Sequence, residues 1–333
     1  MVNINDIARL TGYAKSTVSN VFTKKRPVSQ EIVDRVLAVA RELNYTPNYF
    51  ASNIMGNKTN IVGLFLEAEN QNYYPFYNTL IQSLVTSGAE FGKQILIYFD
   101  AKAESIPSLL RTGVSPLEGA VILSPSCLDR RVCQLETLNL PYVVIGSLTN
   151  ETQPYCSVDM DNADMMHIVL EHLYQKGHRK ILFANSNQAL TVSRDRDKGV
   201  HDEVCLHPSL TVRTLYLPNE SGSVDSYLAP AVAEGHTAVV CSSDIIANDV
   251  YKFALNCGLA VGKELSVIAL GGNVYAGKLR PRLTRCEQNY LEIGRECIRI
   301  LVGRMNDEHY TERKILYSSL KLGESVADLS VRT

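Results

Sequence analysis

Residues 3–22 read NINDIARLTGYAKSTVSNVF, and this stretch decides what the first part of the chain is. Asn3 stands where a helix N-cap belongs, and Asp6 follows three residues later, the spacing of a capping box. Ile4, Ile7, Ala8 and Thr11 recur at helical spacing, and Gly12 is placed to end the helix. A second short helix is expected over Lys15–Phe22, with Val18 and Val21 facing inward. Pro27 closes the loop that follows. Ser29 is placed to cap a third helix in which Ile32, Val33, Val36, Leu37, Ala40 and Leu43 share one face. Tyr45, Thr46, Pro47 and Asn48 end it. Two short helices joined by a tight glycine-containing turn and braced by a third make helix-turn-helix geometry.

The second helix of such a unit can lie in a DNA major groove. Its outward side would carry Lys15, Ser16 and Asn20. A lysine suits the guanine acceptors O6 and N7, and an asparagine suits the N6/N7 edge of adenine. Thr17 and Ser19 suit phosphates, which position a protein without specifying sequence. The plainer reading of the same residues is a three-helix core with a polar surface. The charge distribution favours the first. Residues 1–60 carry eight basic and four acidic side chains, so in a chain of net charge −2 the remainder stands at −6. A basic head on an acidic body favours a polyanion that meets the head alone.

The length of 333 residues suggests two or three domains. The eight cysteines form no CxxC pair and no metal-like spacing with histidine, which reads as reduced and mostly buried thiols. No signal peptide precedes the first charged residues, and no apolar run reaches the ~18 residues of a membrane span. The expectation is a cytoplasmic protein that contacts no membrane.

From Asn60 the pattern changes to alternating strands and helices. Strands are expected at 61–66, 94–99, 119–123 and 142–145, then at 180–184, 210–216, 238–241 and 266–270. Helical runs such as 75–90 and 163–175 lie between them. This alternation predicts an α/β core of parallel sheets covered by helices on both faces. Two such series imply two lobes, with a ligand cleft at the carboxyl ends of their strands.

The residues DIARLTGYAKSTVSNVF, then VSQEIVDRVLAVARELNYTPN and ASNIMGNKTNIVGLF, resemble the lac repressor/galactose repressor family of bacterial regulators, nearly unbroken from Asn3 to Gly63. The resemblance implies a helix-turn-helix over residues 1–47, a hinge over 48–59, and a two-lobed periplasmic-binding-protein-like core over 60–333. It further implies a homodimer that binds a pseudo-palindromic double-stranded DNA operator, most often as a repressor. In the hinge, Ile54 falls where the family wedges a leucine between base steps, a contact that bends the duplex. Packing against the partner hinge is the plainer role. Four positions depart from the common pattern. Ala14 replaces a capping serine, Asn20 and Ser52 replace arginines, and Ile54 is β-branched and stiffer.

The likeness continues into the core at Asp161-Asn162, Lys176-Gly177-His178, Arg196 to Gly199, Ser243-Asp244 and Ile293-Gly294. It implies a first lobe of about 60–160 plus 290–320 and a second of 161–289 plus the tail. Arg196 falls on the family's effector-binding arginine, which can clamp ligand oxygens. A surface salt bridge is the plainer reading. Phe76 and Tyr77 align with residues that wall the pocket, and Asp161 either orients the pocket or caps a helix. Gly271 and Gly272 replace a family aspartate pair, and Ser243 replaces a frequent asparagine. The expectation is a small-molecule effector, a sugar or phosphosugar, in a pocket that has lost its anionic side and gains the amide of Asn273.

No motif of a hydrolase, kinase, metalloprotease or dinucleotide enzyme is present, and no catalytic residue, metal ligand or cofactor is expected. Two other readings share the core fold. One is a regulator that senses a partner protein, and the other is a solute-binding protein. The DNA-binding head argues against the second.

Overall fold

The computed structural model describes residues 3–23, 26–43, 45, 59–67, 74–100, 116–149, 154–217, 224–271 and 275–330, except the side chains of 23, 67, 74–77 and 100. The chain forms two compact units, Met1–Thr59 and Asn60–Thr333.

The first unit contains α1 (Ile4–Thr11), α2 (Lys15–Thr23) and α3 (Gln30–Glu42). The expected capping box is present. Asn3 Oδ1 accepts from Asn5 N at 2.8 Å, and Asp6 Oδ2 accepts from Asn3 N at 2.9 Å. Gly12 ends α1 in the left-handed region at φ +76, with its N–H on Ala8 O at 3.0 Å. Ile7, Val18, Val21, Val36, Val39 and Ala40 form the core of the unit, and Phe22 tilts against Tyr45 with ring centroids 5.6 Å apart. Ser29 occupies the N-cap position of α3, but its hydroxyl makes no capping bond. Its carbonyl takes Val33 N instead, at 3.1 Å, so the serine supplies extended backbone rather than an oxygen cap.

The second unit runs in chain order β1 (Ile61–Glu67), α4 (Tyr74–Glu90), β2 (Gln94–Asp100), β3 (Gly119–Leu123), α5 (Arg130–Thr137), β4 (Tyr142–Ile145), β5 (Cys156–Met160) and α6 (Asn162–Gln175). It continues through β6 (Lys180–Asn185), α7 (Thr191–Leu206), β7 (Thr211–Tyr216), α8 (Asp225–Ala233), β8 (Ala238–Cys241), α9 (Asp244–Asn256), β9 (Ser266–Leu270) and β10 (Thr284–Glu287). It closes with α10 (Tyr290–Asn306), β11 (Arg313–Leu316) and β12 (Ser319–Lys321).

The first sheet has the order β11-β5-β4-β3-β1-β2 and the second β12-β10-β9-β8-β6-β7. Every pairing is parallel except β10 with β12. Strands such as β3 and β9 are buried along their whole length, because helices cover both faces and each strand reads as a continuous apolar run. The two-lobed α/β architecture is as expected. The chain passes from one sheet to the other after β5, after β10 and after β11, so each lobe is assembled from separated segments.

Four of these strands, β5, β10, β11 and β12, lie outside the eight expected from the sequence. All eight cysteines are free, yet Cys133, Cys205 and Cys257 are exposed. The expectation of mostly buried thiols thus holds only for Cys156, Cys241, Cys286 and Cys297. No helix among the described residues is long and apolar enough to cross a membrane.

Candidate functional site

In the first unit, α2 divides cleanly by face. Val18 and Val21 turn into the core, while Lys15 and Ser16 are exposed and Thr17, Ser19 and Asn20 are half-buried. Lys15 and Ser19 lie one turn apart, as do Ser16 and Asn20, so these polar groups share one side. With Ala14 before the helix there is no side-chain oxygen to cap it. Ala14 contributes its carbonyl, which accepts Val18 N at 3.1 Å. The turn is braced by Thr11, whose hydroxyl donates to Ile7 O at 2.7 Å and accepts from Tyr13 N at 3.5 Å. In sequence Thr11 shows only as part of the apolar face of α1, and nothing local signals this brace. Ile54 and the hinge from 48 to 58 lie outside the described residues.

In the second unit, the carboxyl ends of the two sheets carry the other candidate residues. Arg196 sits in the second turn of α7, is 7% exposed, and donates from Nη1 to Ser186 Oγ at 3.4 Å. The start of α7 is fastened to its own sheet. Asn185 Nδ2 donates to Ser193 O at 3.1 Å and to Asp197 Oδ1 at 3.3 Å, and Tyr216 OH donates to Asp197 Oδ2 at 2.6 Å. The same helix is fastened to the other lobe. Ser147 Oγ donates to Asp195 Oδ2 at 2.5 Å, and Thr191 N and Oγ1 donate to Pro125 O at 3.1 and 3.2 Å. Cys127 N donates to Ala189 O at 2.8 Å, and Ser126 and Leu190 form an antiparallel bridge. These contacts between lobes were not foreseen. The likeness over Arg196 to Gly199 marked the neighbourhood, but nothing in it named Asp195, Ser147 or Pro125.

Asp161 caps α6, accepting Asp164 N at 2.9 Å, and its own N–H donates to Leu316 O at 2.8 Å. Ser243 caps α9 through a 3.4 Å bond from Ile246 N. Both therefore have a structural task at the carboxyl ends of their strands. The neighbouring Asp244 is buried and accepts Tyr275 N at 2.7 Å and Ala276 N at 3.1 Å, which pins the segment following β9. Phe76 and Tyr77 lie in α4, with side chains outside what is described, and Asn273 lies outside the described residues.

The loss of a carboxylate at Gly271 has a steric counterpart. Gly271 has φ +108, and a Cβ there would stand 2.9 Å from the Tyr290 hydroxyl. Two carboxylates nonetheless feel the charge of Arg196. Burial pushes Asp159 up to about 7, with the neighbouring Asp195 and Asp161 charges acting in the same direction and Arg196 opposing them. Burial also raises Asp197, again against Arg196. The strand end of β9 carries no carboxylate at Gly271, while Asp159 of β5 and Asp197 of α7 lie within electrostatic range of Arg196, both held toward the neutral form by burial. A separate cavity of about 490 Å³ opens where the chain crosses between sheets, lined by Thr79, Glu287, Gln288, Asn289 and Tyr317 among others. Asp161, Arg196 and Ser243 do not line it.

Residues 3–48 match the bacterial regulatory proteins, lacI family, and residues 170–326 match the periplasmic binding protein-like domain. A ribose operon repressor of Halalkalibacterium halodurans is 26% identical over 311 residues, 92% of this chain and 91% of that protein. The HTH-type transcriptional repressor PurR of Photobacterium profundum is 24% identical over 340 residues, 99% of this chain and 100% of that protein. In fold, the chain is similar to a crystal structure of the lac repressor dimer bound to operator and the anti-inducer ONPF. The TM-score is 0.82 at 19% identity, covering 98% of this chain and 99% of that one.

Proposed function

We propose that this chain, which belongs to the LacI family of bacterial regulatory proteins, is a cytoplasmic transcriptional repressor rather than an enzyme. It binds a pseudo-palindromic operator as a homodimer and answers to a small-molecule effector. The observation that carries this reading is α2. Its polar side (Lys15, Ser16, Ser19 and Asn20) stays at the surface, while Val18 and Val21 lock the helix onto α1 and α3. Residues 1–47 form the reading head, 48–59 the hinge, and 60–333 the effector-binding and dimerisation core. In this reading Lys15, Ser16 and Asn20 face the groove, with Lys15 and Asn20 on base edges, while Thr17 and Ser19 fix register on the backbone. Ile54 wedges at the centre of the operator, where the two hinges meet.

The effector is a sugar or sugar derivative, held by Arg196 with Phe76, Tyr77, Asp161, Ser243 and Asn273 around it. Repressors named for ribose support the class. The acidic neighbours of Arg196 support a hydroxyl-rich ligand, since a carboxylate beside a guanidinium offers both an acceptor and donors to a diol. Effector binding acts by favouring one angle between the lobes over another, which requires unequal affinity for the two states.

The test is selection of binding sites from random duplex DNA with the full chain, followed by thermal-shift measurement with sugars and phosphosugars. An enriched inverted repeat, and a sugar that both raises the melting temperature and alters operator affinity, are expected. A failure to enrich any two-fold site would overturn the operator reading. Co-purification of a partner protein that alone alters operator affinity would replace the small-molecule effector.

A further inference from the structure

The seven histidines show no metal-like spacing in the linear sequence. The fold changes this on the outer side of the second lobe. α6 and α7 pack closely because Gly199 has no side chain: a Cβ there would stand 2.6 Å from Ala163 O and 2.8 Å from Met166 Cβ. Each helix then presents two groups four residues apart, His167 and Glu171 from α6, Glu203 and His207 from the end of α7. Glu171 Oε2 lies 2.7 Å from His207 Nε2, and Glu203 Oε2 lies 3.7 Å from the same nitrogen. One donor atom from each of Glu171, Glu203 and His207 falls within 4.8 Å of the others.

Each of the three is held by a separate neighbour. His207 stacks on Tyr174 with centroids 3.9 Å apart, Gln175 Nε2 donates to Glu171 Oε1 at 2.6 Å, and His167 Nδ1 bonds Glu203 Oε1. Such outer partners orient metal ligands and raise their affinity. Glu203 is 1% exposed, and its Oε2 is buried without a hydrogen-bond partner, aimed at His207. A buried carboxylate oxygen left in that state is costly, and a cation at the gap would relieve it.

We propose that Glu171, Glu203 and His207 bind a divalent transition cation of the zinc type, with His167 as the positioning residue of Glu203. One nitrogen and two carboxylate oxygens suit such an ion, and the half-exposed rim of Glu171 and His207 leaves a further position for water. The 2.7 Å pair must open slightly, since ligands about 2.0–2.2 Å from a common ion stand farther apart than that. The ion would clip together two helices whose opposite ends carry Asp161 and Arg196, the residues of the proposed effector site.

The experiment takes the full chain stripped with a chelator, then titrated with Zn²⁺ by calorimetry and with Co²⁺ as an optical probe. One ion per chain and a rise in melting temperature are expected. Glu171→Gln and His207→Gln, both at the surface rim, should each weaken binding at least tenfold. His167→Gln should weaken it by roughly tenfold. Cys205→Ser, at the exposed thiol nearby, should bind as the parent does. Absence of stoichiometric binding would overturn the site and leave a histidine–carboxylate ion-pair network. Binding unchanged in both rim variants, or lost in Cys205→Ser, would overturn it equally.

Discussion

Ser147, in the first lobe, donates a 2.5 Å hydrogen bond to Asp195 in the second, one residue before Arg196, the arginine proposed to hold the effector. The bond ties the angle between the lobes to the start of α7. A hydrogen bond to a charged acceptor contributes about 1.5–3 kcal/mol when well buried, and less at this partly exposed site. Ser147→Ala and Asp195→Ala should therefore shift the effector concentration for half-release of operator by roughly three- to tenfold, in the same direction. The double variant should shift it no further than one single variant. Additive shifts in a double-mutant cycle would show that the two residues act separately.

Lys15→Ala should lower discrimination at one base pair of each half-site by roughly tenfold or more, leaving other positions unaffected. Competition binding with single-base operator variants reads this directly. Uniform weakening on every sequence, with a smaller salt dependence, would assign Lys15 to a phosphate.

Gly271→Ala should destabilise the core by about 1–3 kcal/mol, because an L residue at φ +108 is strained whatever the space around it. Tyr290→Phe removes the hydroxyl oxygen that a Cβ would approach. If the loss seen in denaturant melts persists in that background, backbone strain is the cause. If it vanishes, the close contact is. The measurement also tells whether a carboxylate could be restored at this strand end.

His178 is buried among Thr237 Oγ1 at 2.8 Å, Ser266 Oγ at 3.0 Å and Ala327 O at 3.3 Å, and burial pushes it down to about 4. Its folded value lies below the ordinary 6.5, so the unfolded chain binds the proton better. The stability it contributes is full above about pH 6.5 and is lost as the pH falls toward 4. About 2 kcal/mol should be gone by pH 5 relative to pH 8. Asp159, raised to about 7, runs the other way: its contribution is lost as the pH rises through 7. The two oppose each other in a bulk profile. The difference in stability between the protein and His178→Gln, measured at both pH values, isolates the histidine. A difference that does not change with pH would refute the depressed value.

The parts of the fold that were legible in the sequence are those whose chemistry repeats locally. The runs Gly119–Leu123 and Ser266–Leu270 are buried from end to end and announce themselves by apolar content. Cys156–Met160, Thr284–Glu287, Arg313–Leu316 and Ser319–Lys321 were not foreseen. They are three to five residues long and mix polar with apolar side chains. Two are edge strands and all four flank the crossings, so distant pairing partners decide them rather than their own composition. The site divides the same way. The polar side of α2 follows from helical periodicity, whereas Ser147 with Asp195 and Glu171 with His207 lie 48 and 36 residues apart and meet only when whole layers pack. Ser29 shows the reverse case, a residue with a strong local signature whose hydroxyl makes no capping bond.

The threefold passage between sheets sets an order on synthesis. The helical head has all its core residues by Tyr45, so it can fold while most of the chain is still unmade. Neither sheet of the core has that freedom. The first lacks its edge until Arg313–Leu316 emerges, and the second until Ser319–Lys321 does. A nascent chain therefore carries a finished DNA reader ahead of an unfinished sensor, and a ribosome that stalls short of residue 313 would leave the reader attached to a body that can form neither lobe in full.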